Sequence, residues 1–271
     1  MQRLFTLPVL LGFGLILPAR AQEPSSQSGP PAPADQDRMI AVMTRYADDY
    51  TSKLPNFICE QVTTQFEAGK KSEKWHKGDT ITSKLVFNGG REQRTLELVN
   101  DKPVRPDHRP RFHTSFSSEG EFGILLSKIF DPASKAKFTW VEWDTIRSHR
   151  AARIDYSIDV AHSTMELTNF IKAVVAYHGS VYIDPDAGTV WRVTSATTEI
   201  PEEMQMTSVN TVIDYEPRPI EQQTYLLPVS AVVVLVTDRD KVRNEIEFQN
   251  YRKFGAESTI TFGPESAPSP H

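Results

Sequence analysis

The second half of the chain alternates between apolar and polar residues over several consecutive segments. In segment 174–184, for example, Val181 and Ile183 fall on one face and Tyr182 falls on the other. Turn-forming residues separate most of these segments, and a two-residue period with frequent turns is typical of antiparallel strands. The pattern therefore predicts strands at 174–184, 189–197, 209–215, 229–238 and 242–254, with Pro217 and Pro219 as breakers after the third.

The first half of the chain carries the same alternation in more widely spaced stretches. Asn88, Gly89 and Gly90 form a strong hairpin signal between two of them. The pattern predicts strands at 56–66, 80–87, 91–100, 137–144 and 146–160. Together with the C-terminal segments, it indicates a mainly β protein of about eleven antiparallel strands.

Segment 35–53 has helical periodicity instead, with Asp35 as the predicted N-cap. Its apolar residues, which include Met39 and Met43, recur at helical spacing and form one stripe. Pro55 follows directly, so the helix should end near residue 53. We expect the stripe to pack on a sheet.

Segment 118–130 is the second predicted helix, because Ser118 and Glu121 have the spacing of a capping box. The helix has a single apolar face, formed by Phe122, Leu125, Leu126 and Ile129. Two interpretations are open: the helix lines or plugs the mouth of a barrel, or it packs on the outside of a sheet.

The N-terminus has the parts of an export signal: Arg3, an apolar run at 4–17, and the small-x-small sequence that ends at Ala21. We expect cleavage after Ala21, which makes 1–21 a signal peptide and leaves no integral membrane span. The mature protein would then be periplasmic or secreted. Segment 22–34 is rich in Pro, Ser and Gly, which predicts a disordered linker, and a disordered tail is expected at 263–271.

Charge and cysteine content narrow the possible functions. The formal net charge is −5, and the loss of two arginines with the signal peptide would make it −5 − 2 = −7. An acidic protein is a poor partner for nucleic acid, which requires a basic face. Cys59 is the only cysteine, so no internal disulfide can form, and its position next to Phe57 on a strand face indicates a small buried apolar residue.

No catalytic motif is recognisable, so we expect a protein that is not an enzyme and has no cofactor. The pairs Asp144 with His149, Asp184 with Asp186, and Glu202 with Glu203 could carry acid–base chemistry, but acids at predicted turns are usually solvated. The long segment 101–117 has three prolines and no period, which is typical of a functional lid or a disordered loop. Its residues Asp107, His108 and His113 do not fix a ligand geometry, so no metal site is predicted.

The hairpin sequence of Tyr177–Asp184, followed by Gly188–Val193, resembles a hairpin of the LolA-like family of periplasmic lipoprotein carriers. The segments Leu54–Cys59 and Tyr225–Pro228 are similar to segments of acidobacteria-type exported proteins with that fold. The resemblance implies an unclosed half-barrel over 35–262, made of a highly curved antiparallel sheet whose concave face is covered by helices.

Two functions are compatible with such a half-barrel. The first is an apolar ligand, such as a lipid or the acyl chain of a lipoprotein, held in the hollow. The second is an interaction or stress-sensing module that binds another protein of the cell envelope. Strand 229–238 is apolar on both faces, which suits a sheet covered by helices or lined for a ligand, so we favour the first. The predicted ligand-binding residues are Phe122, Leu126, Ile129, Phe138 and Trp140.

Overall fold

The computed structural model describes residues 29–104 and 122–255. Two α-helices lie in this part of the chain, α1 (Pro33–Lys53) and α2 (Ile124–Phe130). The strands are β1 (Phe57–Gly69), β2 (His76–Asn88), β3 (Arg91–Val99), β4 (Lys102–Pro103), β5 (Lys137–Ile146), β6 (His149–Ile158), β7 (Glu166–Thr168), β8 (Lys172–Val174), β9 (Ala176–Ile183), β10 (Val190–Thr198), β11 (Met206–Ile220), β12 (Gln223–Thr237) and β13 (Asp240–Lys253).

Eleven of these strands form one antiparallel sheet in the order β4-β3-β2-β1-β13-β12-β11-β10-β9-β6-β5. The first and last strands in this order do not pair, so the highly curved sheet is not closed into a barrel. Most neighbours are joined by hairpins, because neighbours in the chain are usually neighbours in a sheet. The exceptions are β1 beside β13, which joins the two halves of the chain, and β6 beside β9. The small β7–β8 hairpin, which the sequence did not predict, lies between β6 and β9 in the chain.

One face of the sheet, called the inner face here, carries both helices and the hydrophobic core. Tyr156, Ile183, Val193, Ile213 and Phe248 come from five different strands and all belong to this core. Two of them, Val193 and Ile213, are direct cross-strand partners. The prediction that the apolar faces of these strands lie on one side of a single antiparallel sheet is confirmed.

Pro217 and Pro219 do not break the chain, so that prediction was wrong. Both lie within β11, opposite Leu226 and Thr224 of β12. The reason is local, since β10 pairs with β11 only as far as Asp214. Beyond that residue β11 is an edge on the side away from β12, and proline is tolerated on an edge because no ladder donor is needed there.

Several element bounds also differ from the prediction. Strand β12 begins at Gln223, well before the expected start at residue 229, and passes Pro228 at a bulge in the pairing with β11. The predicted strand 146–160 is a turn followed by β6, with positive φ at Arg147 and Ser148. Helix α1 begins at Pro33 rather than after Asp35, since proline fits the first turn of a helix, where its missing N–H is not needed.

Candidate functional site

Helix α1 covers one part of the inner face with a buried stripe. This stripe consists of Met39, Met43, Ala47 and Tyr50. The Tyr50 hydroxyl donates to the Leu226 carbonyl at 3.0 Å, and its ring meets Tyr215 edge-on at 6.0 Å. Near the middle of the helix, the turn at Gly188 approaches so closely that an added Cβ would lie 2.7 Å from the Val42 carbonyl. Helix α1 therefore contacts the sheet closely both at its middle and near its C-terminal end.

Phe122 lies at the centre of an aromatic cluster at the other side of the inner face. The cluster comprises Phe57, Phe87, Phe122, Phe248 and Tyr251. The ring of Phe122 lies 5.2 Å from Phe57 and 5.1 Å from Phe248, centroid to centroid. Phe87 and Tyr251 are each 6.4 Å away from it. Phe122 thus contacts side chains of β1, β2 and β13.

Helix α2 follows Phe122 after Gly123, whose φ of 101° is readily reached only by glycine. The helix is shorter than the predicted 118–130, since Phe122 and Gly123 precede it; Ser118 and Glu121 lie outside the described residues. Leu126 and Ile129 are 1% and 0% exposed, so both are fully within the core. The Lys128 ammonium donates to the Thr164 carbonyl at 2.6 Å, which ties the helix to the segment before β7.

Phe138 and Trp140 lie on β5 at the far edge of the sheet and point to the inner face. They pair directly with Tyr156 and Ile154 of β6, two core residues. Phe138 stacks on Phe130 at the end of α2, with ring centroids 5.3 Å apart. The indole Nε1 of Trp140 is buried and has no hydrogen-bond partner among the described residues. All five predicted ligand-binding residues therefore belong to the core or pack against it.

Helix α2 crosses the hollow of the half-barrel. Its N-terminal end is beside Phe57 on β1, through Phe122, and its C-terminal end is beside Phe138 on β5, through Phe130. Strands β1 and β5 are separated in the sheet by β13, β12, β11, β10, β9 and β6. A seven-residue helix and the two residues before it thus connect two distant parts of the inner face.

A polar row continues the inner face of β1 beyond the aromatic cluster, and sequence reasoning missed it. It consists of Gln61, Thr63 and Gln65 of β1 with Asn244 of β13, each no more than 8% exposed. Gln61 Nε2 donates to Thr63 Oγ1 at 3.2 Å, and Gln65 Nε2 donates weakly to Asn244 Oδ1 at 3.4 Å. Gln65 Oε1 is buried without a partner among the described residues. Such an atom is uncommon, because buried polar atoms are usually paired.

Cys59 lies between the aromatic cluster and the polar row and is 2% exposed. Burial raises the pKa of its thiol to about 12. The thiol is therefore protonated at neutral pH and is a poor nucleophile. The predicted role as a small buried residue beside Phe57 is confirmed.

Two of the other candidate groups, Asp184 and His149, have structural partners. Asp184 Oδ1 accepts from the backbone N–H groups of Asp186 and Ala187, at 2.9 and 2.8 Å, and so shapes the β9–β10 turn. His149 stacks on Trp191 at 3.9 Å and no hydrogen bond joins it to Asp144 in the part of the chain described. Within 29–104 and 122–255 there is no group of three or more His, Cys, Asp or Glu side chains suited to a metal ion.

Several predictions concern residues outside these ranges. They include the signal peptide at 1–21, the linker up to residue 28, the lid with Asp107, His108 and His113, and the tail at 263–271. Neither described helix combines the length and the apolar character needed to span a bilayer.

No family model matches the sequence, and neither does any curated protein. Among solved structures, the chain is similar to a LolA superfamily protein from Nitrosomonas europaea, with 7% identity, a TM-score of 0.40, and 82% of this chain and 97% of that chain covered. It is also similar to a DUF1329 family protein from Desulfovibrio piger, with 7% identity, a TM-score of 0.39, and 84% of this chain and 95% of that chain covered. A putative outer membrane lipoprotein-sorting protein domain from Vibrio parahaemolyticus matches with 8% identity, a TM-score of 0.37, and 78% of this chain and 90% of that chain covered.

Proposed function

We propose that this protein is an exported, non-enzymatic binding protein that holds a lipid or another molecule with a long acyl chain in its hollow. Helix α2 is the occupant of that hollow when no ligand is bound. The observation that carries the proposal is the path of α2 from the aromatic cluster to Phe138. An acyl chain bound in its place would lie along the same apolar surface.

Helix α2 is suited to leave the hollow. A helix of seven residues is too short to be stable by itself, so it is held in place by tertiary contacts. Gly123 supplies a flexible joint at its start, with no Cβ to restrict rotation. The strands of the sheet, in contrast, keep their backbone hydrogen bonds whether or not α2 is in place.

The free energies of the two occupants are comparable. The four buried side chains of α2 and Phe122 each contribute roughly 1.5–3 kcal/mol through burial, and a long acyl chain contributes about 0.8 kcal/mol for each buried CH₂. Replacement of one by the other is therefore feasible, since neither occupant is overwhelmingly favoured. A lipid-like ligand would compensate for the contacts that α2 loses.

The polar row supports one orientation of the proposed ligand. The aromatic cluster offers aromatic rings, and its one hydroxyl, that of Tyr251, already donates to the Pro228 carbonyl. The row that follows the cluster on β1 offers amide and hydroxyl groups, including Gln65 Oε1. A lipid with a hydroxyl or amide in its head group could place the acyl chain over Phe57 and donate to Gln65. The acyl moiety of a lipoprotein satisfies this description, because amides accompany the acyl chains at its attachment point.

Mass spectrometry of organic extracts from protein purified from its native source tests the proposal. We expect a co-purifying lipid with an acyl chain. Oleic acid added to lipid-free protein should change tryptophan fluorescence and raise the melting temperature, because bound ligand stabilises the folded state. The Trp140→Phe variant should lose most of the fluorescence change, whereas Trp75→Phe, which removes a tryptophan that packs beside Lys241 and Arg243 instead, should retain it. An absence of both effects across a panel of acyl ligands would contradict the proposal, and the alternative of an envelope interaction module would remain.

A further inference from the structure

The β7–β8 hairpin has the most exposed large apolar side chain in the described part of the molecule. Phe170, at its tip, is 74% exposed, and its neighbour Ile171 is 42% exposed. Val174, on the outer side of β8, is 43% exposed. Three large apolar side chains of one short hairpin are thus exposed together, and such grouping, unlike a single exposed side chain, indicates a contact surface.

The hairpin is an ordered part of the fold and not a loose loop. Leu167 on β7 packs against the hydrophobic core. Ser163 Oγ donates to the Val175 carbonyl at 2.6 Å and closes the base of the hairpin. Asn169 Nδ2 donates to the Met204 carbonyl at 2.9 Å, which fixes the tip against the β10–β11 connection. Because the hairpin is already ordered, Phe170 can contact a partner without a further loss of backbone conformational entropy.

Several polar groups of the tip have partners within the protein. The Asn169 side chain donates to the Met204 carbonyl, and the Asn169 backbone N–H donates to the Ile171 carbonyl at 2.9 Å. Lys172, the first charged residue after the tip, pairs with Glu166 at 2.8 Å. The Phe170 and Ile171 side chains can therefore enter the boundary between head groups and acyl chains of a bilayer while these polar groups and the backbone of the tip stay at its hydrated surface.

We propose that the tip of this hairpin, formed by Phe170 and Ile171, inserts into the surface of a lipid bilayer. A protein partner is disfavoured by area, because a stable interface buries about 800 Å² on each side and one aromatic side chain supplies only about 150–250 Å². The charge nearby specifies the type of lipid. Glu202 and Glu203 immediately precede Met204 and lie in the connection that holds the tip. The surface is therefore suited to zwitterionic lipid and not to an anionic membrane.

The position of the hairpin relates this surface to the hollow. The segment that leads into β7 accepts a hydrogen bond from Lys128 of α2, through the Thr164 carbonyl. A bilayer bound at Phe170 would thus lie on the side of the molecule where α2 is attached. The inference does not depend on the proposed function, since a protein with an empty hollow could still bind a membrane in this way.

Phosphatidylcholine vesicles provide the test. In the full chain, Phe170→Cys labelled with an environment-sensitive fluorophore should shift to the blue on addition of vesicles, while the same label at Glu97→Cys on β3, an exposed position, should not. Labelling will be selective, because Cys59 is buried and its thiol is protonated. In unlabelled protein, Phe170→Ser should weaken vesicle binding at least tenfold and Phe170→Leu only slightly, since burial of a Phe side chain accounts for roughly a tenfold to hundredfold change.

Several outcomes would overturn the inference. They are no binding to vesicles by the unmodified chain, binding that Phe170→Ser leaves unchanged, and binding that needs anionic lipid and disappears in high salt. Self-association that is abolished by Phe170→Ser in the absence of vesicles would assign the tip to a second copy of the chain instead. Binding of oleic acid in solution does not involve Phe170. A failure to bind vesicles would therefore not contradict the proposed function, and a failure to bind oleic acid would not contradict insertion of the hairpin tip into a bilayer.

Discussion

Replacement of Leu126 by alanine tests whether α2 is a permanent part of the core or a helix that a ligand can displace. Leu126 is 1% exposed and lies on the face of α2 that fills the hollow. Truncation of a leucine at such a site removes its burial and leaves a cavity, which together lower the free energy of unfolding by about 2–4 kcal/mol. Denaturation in urea, followed by circular dichroism, measures this loss. Ile124→Ala is the matched control, because Ile124 is on the same helix but 42% exposed, and it should cost less than about 1 kcal/mol.

The affinity for oleic acid is the second measurement and the decisive one. If α2 must leave the hollow before the acyl chain enters, the apparent affinity is the intrinsic affinity reduced by the fraction of molecules in which α2 is displaced. Leu126→Ala weakens the contact that keeps α2 in place. A loss of about 2 kcal/mol in that contact would tighten apparent binding up to roughly thirtyfold, since each 1.4 kcal/mol is a factor of ten.

The two effects have opposite signs, which makes the refutation clear. A variant that is less stable and yet binds oleic acid more tightly supports displacement of α2. A variant that loses stability and binds oleic acid equally or less well would show that α2 is an ordinary core helix. The Ile124→Ala control should change neither quantity appreciably, so any shared effect of helix propensity can be subtracted.

Two further predictions concern residues around the hollow. Because burial raises the pKa of Cys59 to about 12, the unfolded chain releases this proton at a lower pH than the folded protein, so the free energy of unfolding should fall as the pH rises from about 9 toward 12. Urea denaturation across this range should show a smaller fall for Cys59→Ala than for the unmodified protein, and an equal fall would refute the assignment. Gly188→Ala should destabilise the protein by more than about 2 kcal/mol, because φ is +70° and the new Cβ would meet the backbone of α1. Gly90→Ala is the control: its φ is +76° but the space around it is open, so it should cost only the backbone strain of about 1 kcal/mol, and equal losses in the two variants would mean that α1 does not depend on this contact.

The sequence predicted most of the sheet because side chains alternate strictly along a strand. Val181 and Ile183 had to share a face, and a sheet with one buried face fixes which residues those are. The failure at Pro217 and Pro219 has a different origin. Proline is tolerated where no neighbouring strand accepts a hydrogen bond from the backbone N–H at that position. The residue at which the pairing of β10 with β11 stops is a property of the assembled sheet. The sequence pattern within 209–219 does not indicate where this pairing stops.

The candidate site could be predicted only as a set of apolar residues. Helical spacing identified the face of α2 with Leu126 and Ile129, but not what that face meets. The meeting of Phe122 with Phe57 and Phe248 depends on the pairing of β1 with β13, which joins residues nearly 200 positions apart in the chain. Such pairing leaves no local signal, because each of the two strands has the same alternation as all the others.

The polar row on β1 gives this hollow a property that a simple core does not need. The inward positions of the strand change from Phe57 and Cys59 to Gln61, Thr63 and Gln65 while remaining buried. Buried amides contribute less to stability than apolar side chains of similar size unless all of their hydrogen bonds are made. Gln65 Oε1 has no partner among the described residues, so the row is incompletely satisfied. An interior optimised only for stability would continue the apolar surface of Phe57, whereas the lipid site proposed above would require polar groups beside the head group of its ligand.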